Sequence, residues 1–213
     1  RRIFTAAKAG HGGTLDPLAS GLLPIALGEA TKTVSFAMDG AKSYEVTISF
    51  GRQTTTDDRE GGAVATSETR PDAAAIEAVL PRFTGTVMQR PPIFSAIKID
   101  GARAYDIARK AVADGLETLP ELAPRPVEIG RLELRDTTPD SATLLVACGK
   151  GTYIRSLARD MALALGTVGH VGHLRRLSVG PFSESDAISL AFLEELEHKE
   201  AAFEHLKPVT SAL

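Results

Sequence analysis

The stretch GHGGTLDP places a single carboxylate, Asp16, between two consecutive glycines and a proline. Two roles fit a carboxylate in this setting. Aspartate followed by proline is typical of a helix start, where Asp16 would cap a helix over PLASGLLPIAL. Gly12 and Gly13 instead permit positive φ and a close approach of a ligand to the backbone, which indicates a reactive group held on a rigid turn. The local sequence leaves both roles open.

Two further segments carry polar groups on regular elements. SYEVTISFG alternates apolar and polar residues from Tyr44 onward, which predicts a strand. GTYIRSLARDMALALG has apolar residues at helical spacing and a glycine at its end, which predicts a helix. Arg155 falls in the first turn of that helix, where the helix dipole disfavours a cation unless an anion is near. Asp16 is the candidate anion.

Several familiar chemistries are excluded by spacing. CGKGTY has the letters of a phosphate-binding loop in the wrong order, and no G-x-G-x-x-G follows a strand. Ser20 is not in a G-x-S-x-G elbow, which leaves a hydrolase triad with His11 and Asp16 little support. His170 and His173 lack a cysteine or carboxylate at metal-ligand spacing. We therefore expect no metal and no cofactor.

Composition describes an ordinary globular chain of 213 residues, 43% hydrophobic and 24% charged, long enough for one large domain or two small ones. A lone cysteine and the lack of an apolar run of about 20 residues predict a cytoplasmic protein without a membrane partner. The net charge is −3, yet the segments 82–110 and 148–182 are basic and the tail from residue 183 is acidic. The basic segments fit either a polyanion footprint or solvated surface charge.

The remaining elements mix helices and strands without regular alternation. RRIFTAAKAG resembles the end of a helix, PDAAAIEAVL a helix capped by Asp72, and PVEIGRLELRDTTPDSATLLVACG two strands joined by a turn. An Asp100–Gly101 turn lies within the segment 83–110, which has the length of an insertion that could close over a ligand. A last helix is predicted over about 188–198. The pattern favours an α+β fold with a largely antiparallel sheet.

Five strings, taken in order, resemble the signature of the TruB family of tRNA pseudouridine synthases, and together they cover about residues 1–188. They are GHGGTLDPLASGLLPIALGEATK, SYEVTISFG, TTTDDREG, RPPIFSAIKIDGARAYDIAR and CGKGTYIRSLARDMALALG…HLRRLSVGPF. The resemblance implies the pseudouridine synthase fold, with helices flanking the sheet, a catalytic domain over 1–186 and a thumb-like insertion at about 83–110. A C-terminal helix and tail would occupy 187–213. The opening strand of the family and its C-terminal PUA-type module are expected to be missing or truncated.

The resemblance also implies roles for single residues. Asp16 would be the catalytic aspartate, Arg155 its partner, and Tyr44 would lie against the flipped uracil and handle the proton at C5. The other expected site residues hold the RNA or the pocket: His11 in the stem space vacated by the base, Lys32 near the RNA backbone, Asp58 in the ion-pair network of Arg155, and Tyr153 and Leu174 along the uracil pocket.

The implied function is the isomerisation of uridine to pseudouridine in the T-loop of tRNA by a monomer that binds the T-arm stem-loop. The reaction transfers no group between molecules and involves no redox step, so no cofactor is needed. Two alternatives remain open. One is a guide-RNA-dependent enzyme of box H/ACA particles, which shares G-T-L-D-P and G-T-Y-I-R. The other is an RNA-binding or tRNA-folding chaperone in which catalysis is secondary.

Overall fold

The structure is a computed structural model that describes residues 3–95, 97–99, 102–113, 122–196 and 199–212. The strands, in chain order, are β1 (Ala9–His11), β2 (Ser20–Gly21), β3 (Ile25–Leu27), β4 (Lys42–Phe50), β5 (Arg52–Thr54), β6 (Ala63–Thr66), β7 (Gly85–Gln89), β8 (Lys98–Ile99), β9 (Ala102–Arg103), β10 (Arg125–Thr138), β11 (Ser141–Cys148), β12 (Gly169–Val179) and β13 (Phe182–Ser183).

The helices are α1 (Val34–Asp39), α2 (Ala73–Val79), α3 (Ala104–Ala113), α4 (Ile154–Ala164), α5 (Leu190–Glu195) and α6 (Lys199–Phe203), with 3₁₀ turns at Gly28–Lys32, Leu80–Phe83, Glu184–Asp186 and Val209–Ala212. The predicted cap of α2 is present, because the Asp72 carboxylate accepts a 2.8 Å hydrogen bond from the Ala75 amide. The helix predicted over GTYIRSLARDMALALG is α4.

The central sheet has the order β13-β12-β4-β11-β10-β7 and is antiparallel along this path. Strand β2 joins β12 as a parallel partner at the same edge as β13. The sheet therefore has the mixed, mostly antiparallel topology that the sequence predicts, and the two strands predicted on either side of the turn at residues 139–140 are β10 and β11.

The core lies between this sheet and α4, because the alternating residues of β4 all face inward. Tyr44, Val46, Ile48 and Phe50 are each at most 9% exposed. Leu157 and Met161, one turn apart on α4, are 2% and 1% exposed and pack against the same cluster. The apolar face that a period of two predicts for the strand and the apolar face that a period of 3.6 predicts for the helix thus pack together in one layer.

Three sequence predictions near the chain ends are wrong in detail. Residues 3–10 are not helical, in contrast to the predicted helix end, since β1 begins at Ala9 and pairs antiparallel with β3. No helix follows Asp16, because Gly21 takes φ +93° and the chain there pairs with β12. The last predicted helix is shorter than 188–198, since α5 ends at Glu195 and residues 197–198 lie outside the described residues.

The start of the segment 83–110 belongs to the central sheet, because β7 is an edge strand of that sheet and pairs with β10. The part outside the sheet therefore starts at residue 90 and contains the β8–β9 hairpin and α3. The predicted Asp100–Gly101 turn lies outside the described residues. Within the described part of the chain, no helix combines the length and apolarity needed to cross a membrane.

Candidate active site

Asp16 lies on a loop that returns on itself between β1 and β3. The carbonyl of Asp16 accepts a hydrogen bond from the Ala19 amide at 2.8 Å, and the Gly12 amide donates to the Pro24 carbonyl at 2.7 Å. The capping role considered for Asp16 is wrong, since no helix begins there. The carboxylate is instead carried on a rigid turn, with its side chain 32% exposed.

Arg155 binds both oxygens of the Asp16 carboxylate, as the position of a cation in the first helical turn predicts. Its Nε lies 2.8 Å from Oδ2 and its Nη2 3.0 Å from Oδ1, a two-bond fork. The same guanidinium donates to the carbonyls of Thr56 and Phe94, both at 3.0 Å. With a side chain only 7% exposed, Arg155 fixes the direction in which Asp16 points.

Asp58 forms the second acidic partner of the same guanidinium, as expected. Its Oδ2 lies 3.8 Å from Arg155 Nε, and its side chain is 5% exposed. Its Oδ1 accepts hydrogen bonds from the Thr56 hydroxyl at 2.6 Å and from the Glu60 amide at 3.0 Å. These bonds satisfy a buried carboxylate, which then helps to balance the buried cation.

A neighbouring pair repeats this arrangement one turn further along α4. Arg159 donates to Asp57 Oδ2 at 2.9 Å, to Asp160 Oδ1 at 2.9 Å and to the carbonyl of Arg90 at 2.8 Å. Asp57 has φ +59°, so its backbone is in the left-handed region. Burial raises the pKa of the Asp57 carboxyl, and the Arg159 charge acts against that rise. Two arginines of α4 thus hold the loop of residues 57–58.

A cavity of about 120 Å³ opens beside the Asp16 carboxylate. It is lined by Thr14, Leu15, Asp16, Tyr44, Thr152, Tyr153, Ile154, Leu174 and Arg176. Pockets that bind drug-sized ligands measure about 300–1,000 Å³, so this smaller cavity has room for a small ring but not for a whole nucleotide. The structure thereby brings six residues of the sequence-based site together: Asp16, Tyr44, Tyr153 and Leu174 line the cavity, and Arg155 with its second partner Asp58 lies behind Asp16.

Tyr44 is 9% exposed on β4 and forms one wall of the cavity. Burial raises the pKa of its hydroxyl, and the nearby Cys148 and Asp16 also raise it, while the Arg176 guanidinium acts in the opposite direction. Because the ordinary tyrosine pKa is already about 10, the hydroxyl stays protonated at neutral pH. Tyr44 therefore offers a ring face and a hydroxyl group that can exchange a proton, and it is not a phenolate.

Tyr153 is fixed at the N-terminus of α4 from two sides. The buried Gln89 side chain donates from Nε2 to the Tyr153 carbonyl at 3.0 Å and accepts from the Tyr153 amide at 2.8 Å. The Arg125 guanidinium lies 5.4 Å from the ring centroid, a cation–π distance. Both contacts connect this wall of the cavity to the β7–β10 edge of the sheet.

Arg176 is the charged cavity residue that the sequence analysis does not single out. It belongs to the basic segment 148–182, yet it is 2% exposed. The signal was available in HLRRLSVG, where Leu174 and Arg176 share one face of a strand by a period of two. A cation on the apolar face of a strand indicates a buried polar contact.

His11 and Lys32 are not among the residues that line the cavity. His11 is the exposed last residue of β1, at the edge of the loop that carries Asp16. Lys32 is 72% exposed at the end of a 3₁₀ turn, where it pairs with Glu29 at 2.5 Å. Both side chains are therefore open to contact with another molecule.

Comparison with known proteins places the whole chain in one family. The model of the TruB family pseudouridylate synthase N-terminal domain matches residues 1–154, and that of the tRNA pseudouridylate synthase B C-terminal domain matches residues 155–213. Proteins named tRNA pseudouridine synthase B from Rhodospirillum rubrum and Caulobacter vibrioides are 55% and 56% identical over all of this chain. The chain spans 68% and 67% of their lengths, and 62% and 58% of relatives from Bradyrhizobium diazoefficiens and Rhodopseudomonas palustris.

Solved structures of similar fold belong to a more distant branch. A crystal structure of a Cbf5-Nop10-Gar1 complex aligns with 99% of this chain and 54% of its own matched chain, at 28% identity and a TM-score of 0.73. The archaeal box H/ACA Nop10-Cbf5 complex aligns equally completely at 26% identity and a TM-score of 0.69. The guide-dependent alternative is therefore supported only at this distance, whereas the tRNA-modifying relatives are about twice as similar in sequence.

Proposed function

The chain belongs to the TruB family of pseudouridylate synthases, isomerases that act on tRNA, and we propose that it converts uridine to pseudouridine in the T-loop. The observation that carries the proposal is the cavity of about 120 Å³, which is lined both by Asp16, whose carboxylate Arg155 holds, and by Tyr44. That space suits a single pyrimidine ring, with ribose and phosphate outside.

A base must leave its stack to enter such a cavity. Extrusion costs a few kcal/mol, and contact with apolar and aromatic side chains offsets part of it. In our proposal Tyr44, Tyr153 and Leu174 supply these contacts to the flipped uracil. His11 fills the space vacated in the RNA stem, and Lys32 contacts the RNA backbone. The exposure of both side chains supports these last two roles.

The reaction is a rearrangement that leaves the composition of the nucleotide unchanged. The bond between N1 and C1′ breaks, the uracil turns, a bond forms between C5 and C1′, the hydrogen on C5 leaves as a proton to the solvent, and N1 takes up a proton. Asp16 serves either as a nucleophile at the sugar or the base, or as the base that removes a sugar proton. Because Arg155 occupies one lone-pair direction of each carboxylate oxygen, the others remain for the substrate.

Neighbouring residues support Asp16 in this proposal. Arg155 aims the carboxylate at the cavity, and the buried Asp58 helps to balance the charge of Arg155. Tyr44 handles the proton at C5, for which its protonated hydroxyl and its place in the same cavity as Asp16 are suited. No step needs a metal or a cofactor.

The segment from residue 90 to residue 110 serves as the thumb that closes on the T-arm. Its base is anchored to α4, since the Ser156 hydroxyl donates to the Arg90 carbonyl at 2.7 Å and Arg155 donates to the Phe94 carbonyl at 3.0 Å. The residues beyond this anchor include four cations in a basic stretch. We place the enzyme in the cytoplasm, which agrees with its lone, buried cysteine, Cys148. We also propose that it acts as a monomer.

Tritium release from tRNA transcripts made with 5-tritiated uridine tests the proposal, because only the isomerisation frees the hydrogen at C5. We expect release from bare tRNA and from an isolated T-arm hairpin, without any guide RNA. A hairpin with cytidine at the target position is the control and should release none. Release that requires a guide RNA would favour the box H/ACA-type alternative, and tRNA binding without release would favour a chaperone.

A further inference from the structure

Arg176 has a position that neither charge nor packing alone explains. It stands directly opposite Tyr44 in the register between β12 and β4, on the core side of the sheet, and is 2% exposed. Directly opposed side chains on one face of an antiparallel pair have Cβ atoms about 5 Å apart. Burying a guanidinium in an apolar layer is costly unless its N–H groups are hydrogen-bonded. The hydrogen-bond partners of Arg176 therefore indicate its role.

Those bonds go to the backbone of the loop that carries Asp16, on both sides of the aspartate. Nη2 donates to the Gly13 carbonyl at 3.0 Å and Nη1 to the Thr14 carbonyl at 3.4 Å, while Nε donates to the Leu22 carbonyl at 2.8 Å. The main chain of Arg176 adds another link, since its carbonyl accepts from the Leu22 amide at 2.8 Å. One residue therefore ties the entry and the exit of the loop to β12.

We propose that Arg176 is a positioning residue for the isomerisation: it holds the Asp16 loop at a fixed distance from Tyr44, so that the carboxylate and the tyrosine face each other across the cavity. This inference rests on the proposed function. Its role differs from that of Arg155, which binds the carboxylate itself. Arg176 acts on the loop backbone and, through its place opposite Tyr44, on the second wall of the cavity.

The planar guanidinium of arginine suits the simultaneous hydrogen bonding of three loop carbonyls. Three carbonyls that point at one group from different parts of a loop can be reached together by the five N–H donors of a guanidinium. A lysine ammonium is a point charge with three donors on a flexible stem, and it cannot hold the same three carbonyls in one plane. Arg176→Lys should therefore behave like Arg176→Met in turnover, although it keeps the charge.

The test compares Arg176→Lys and Arg176→Met with Arg131→Met, which removes an exposed arginine paired with Glu133 on β10. Rates are measured in single turnovers at saturating tRNA, well below the melting midpoint of each variant. Misplacing a reacting group by about 1 Å costs about 100-fold in rate, so we expect about that loss in both Arg176 variants. The tRNA dissociation constant should stay near that of the wild type, as should both quantities in Arg131→Met.

Hydrogen exchange of the unliganded protein provides a readout that does not depend on activity. Both Arg176 variants should exchange the amides of residues 12–24 faster than the wild type, and Arg131→Met should not. Unchanged exchange in this segment, a wild-type rate in Arg176→Met, or full rescue by Arg176→Lys would each overturn the inference. A wild type that releases no tritium would instead defeat the proposed function, and the exchange data would still decide whether Arg176 holds the loop.

Discussion

Replacing Arg155 by methionine separates its action on Asp16 from its contribution to the fold. The guanidinium donates to both Asp16 oxygens and to the carbonyls of Thr56 and Phe94. Methionine keeps a similar apolar stem but none of the donors. The variant therefore leaves Asp16 unheld and Asp58 buried without its cation.

The expected loss of stability follows from the burial of the three charged groups. Removing one partner of a buried ion pair costs about 3–5 kcal/mol. Arg155 and Asp58 are 7% and 5% exposed, but Asp16 is 32% exposed and keeps access to water. We therefore expect a loss near the lower limit, about 3 kcal/mol. In a chain of this length that lowers the melting temperature by about 6–12 °C.

The expected loss of turnover is larger in relative terms than the loss of binding. A carboxylate displaced by about 1 Å reacts about 100-fold more slowly, and the loss of a fixed charge beside the reacting centre adds to this, giving about 100–1,000-fold. The guanidinium is buried behind Asp16 and is not among the cavity-lining residues. The dissociation constant for tRNA should therefore change little.

Arg159→Met is the matched control, because Arg159 lies one turn further on α4 and also binds two acidic partners, the buried Asp57 and the partly exposed Asp160. It should cost similar stability but reduce single-turnover tritium release by less than about tenfold, since none of its hydrogen bonds reaches Asp16. Equal turnover losses in Arg155→Met and Arg159→Met, measured where both are folded, would refute the argument that Arg155 acts through Asp16.

Two further predictions concern the frame around the site. Gly21→Ala should cost about 3 kcal/mol of unfolding free energy, because φ is +93° and the new Cβ would lie 2.2 Å from the Arg176 carbonyl oxygen. Gly28→Ala, where φ is +57° and the space around the new Cβ is open, should cost about 1 kcal/mol. Equal melting temperatures of the two variants would contradict this prediction. Burial raises the pKa of the Cys148 thiol from 9.0 to about 11. Because the folded protein holds this proton more tightly, stability present below pH 9 is lost as pH rises towards 11, by about 2–3 kcal/mol. Denaturant titrations at several pH values should show a shallower alkaline decline in Cys148→Ala, and an unchanged decline would show that the thiol does not contribute.

Elements with a clear apolar period could be predicted from the sequence. Strand β4 and helix α4 were found this way because tertiary packing uses the same faces that their local patterns offer. The Asp16 loop could not, because Asp-Pro followed by an apolar run satisfies the rules for a helix start. What overrides those rules is a long-range contact, the parallel pairing of β2 with β12, which no local window contains.

Part of the candidate site could be predicted from the family signature and from the position of Arg155 in the first turn of α4, where the helix dipole disfavours a cation. The pairing of Arg155 with Asp16 follows from that dipole argument. Gln89 and Arg176 were missed because their partners are backbone groups distant in sequence, Tyr153 for one and the Asp16 loop for the other. Side-chain bonds to remote carbonyls leave little local pattern.

Asp16→Asn is the most direct test of whether Asp16 carries out the chemistry. Asparagine keeps the size and can still accept a hydrogen bond from Arg155, so fold and tRNA binding should persist. We expect full tritium release from 5-tritiated tRNA by the wild type and none by the variant, while tRNA binding is retained. Release by Asp16→Asn at a rate close to that of the wild type would contradict it, and Asp16 would then be only a structural partner of Arg155.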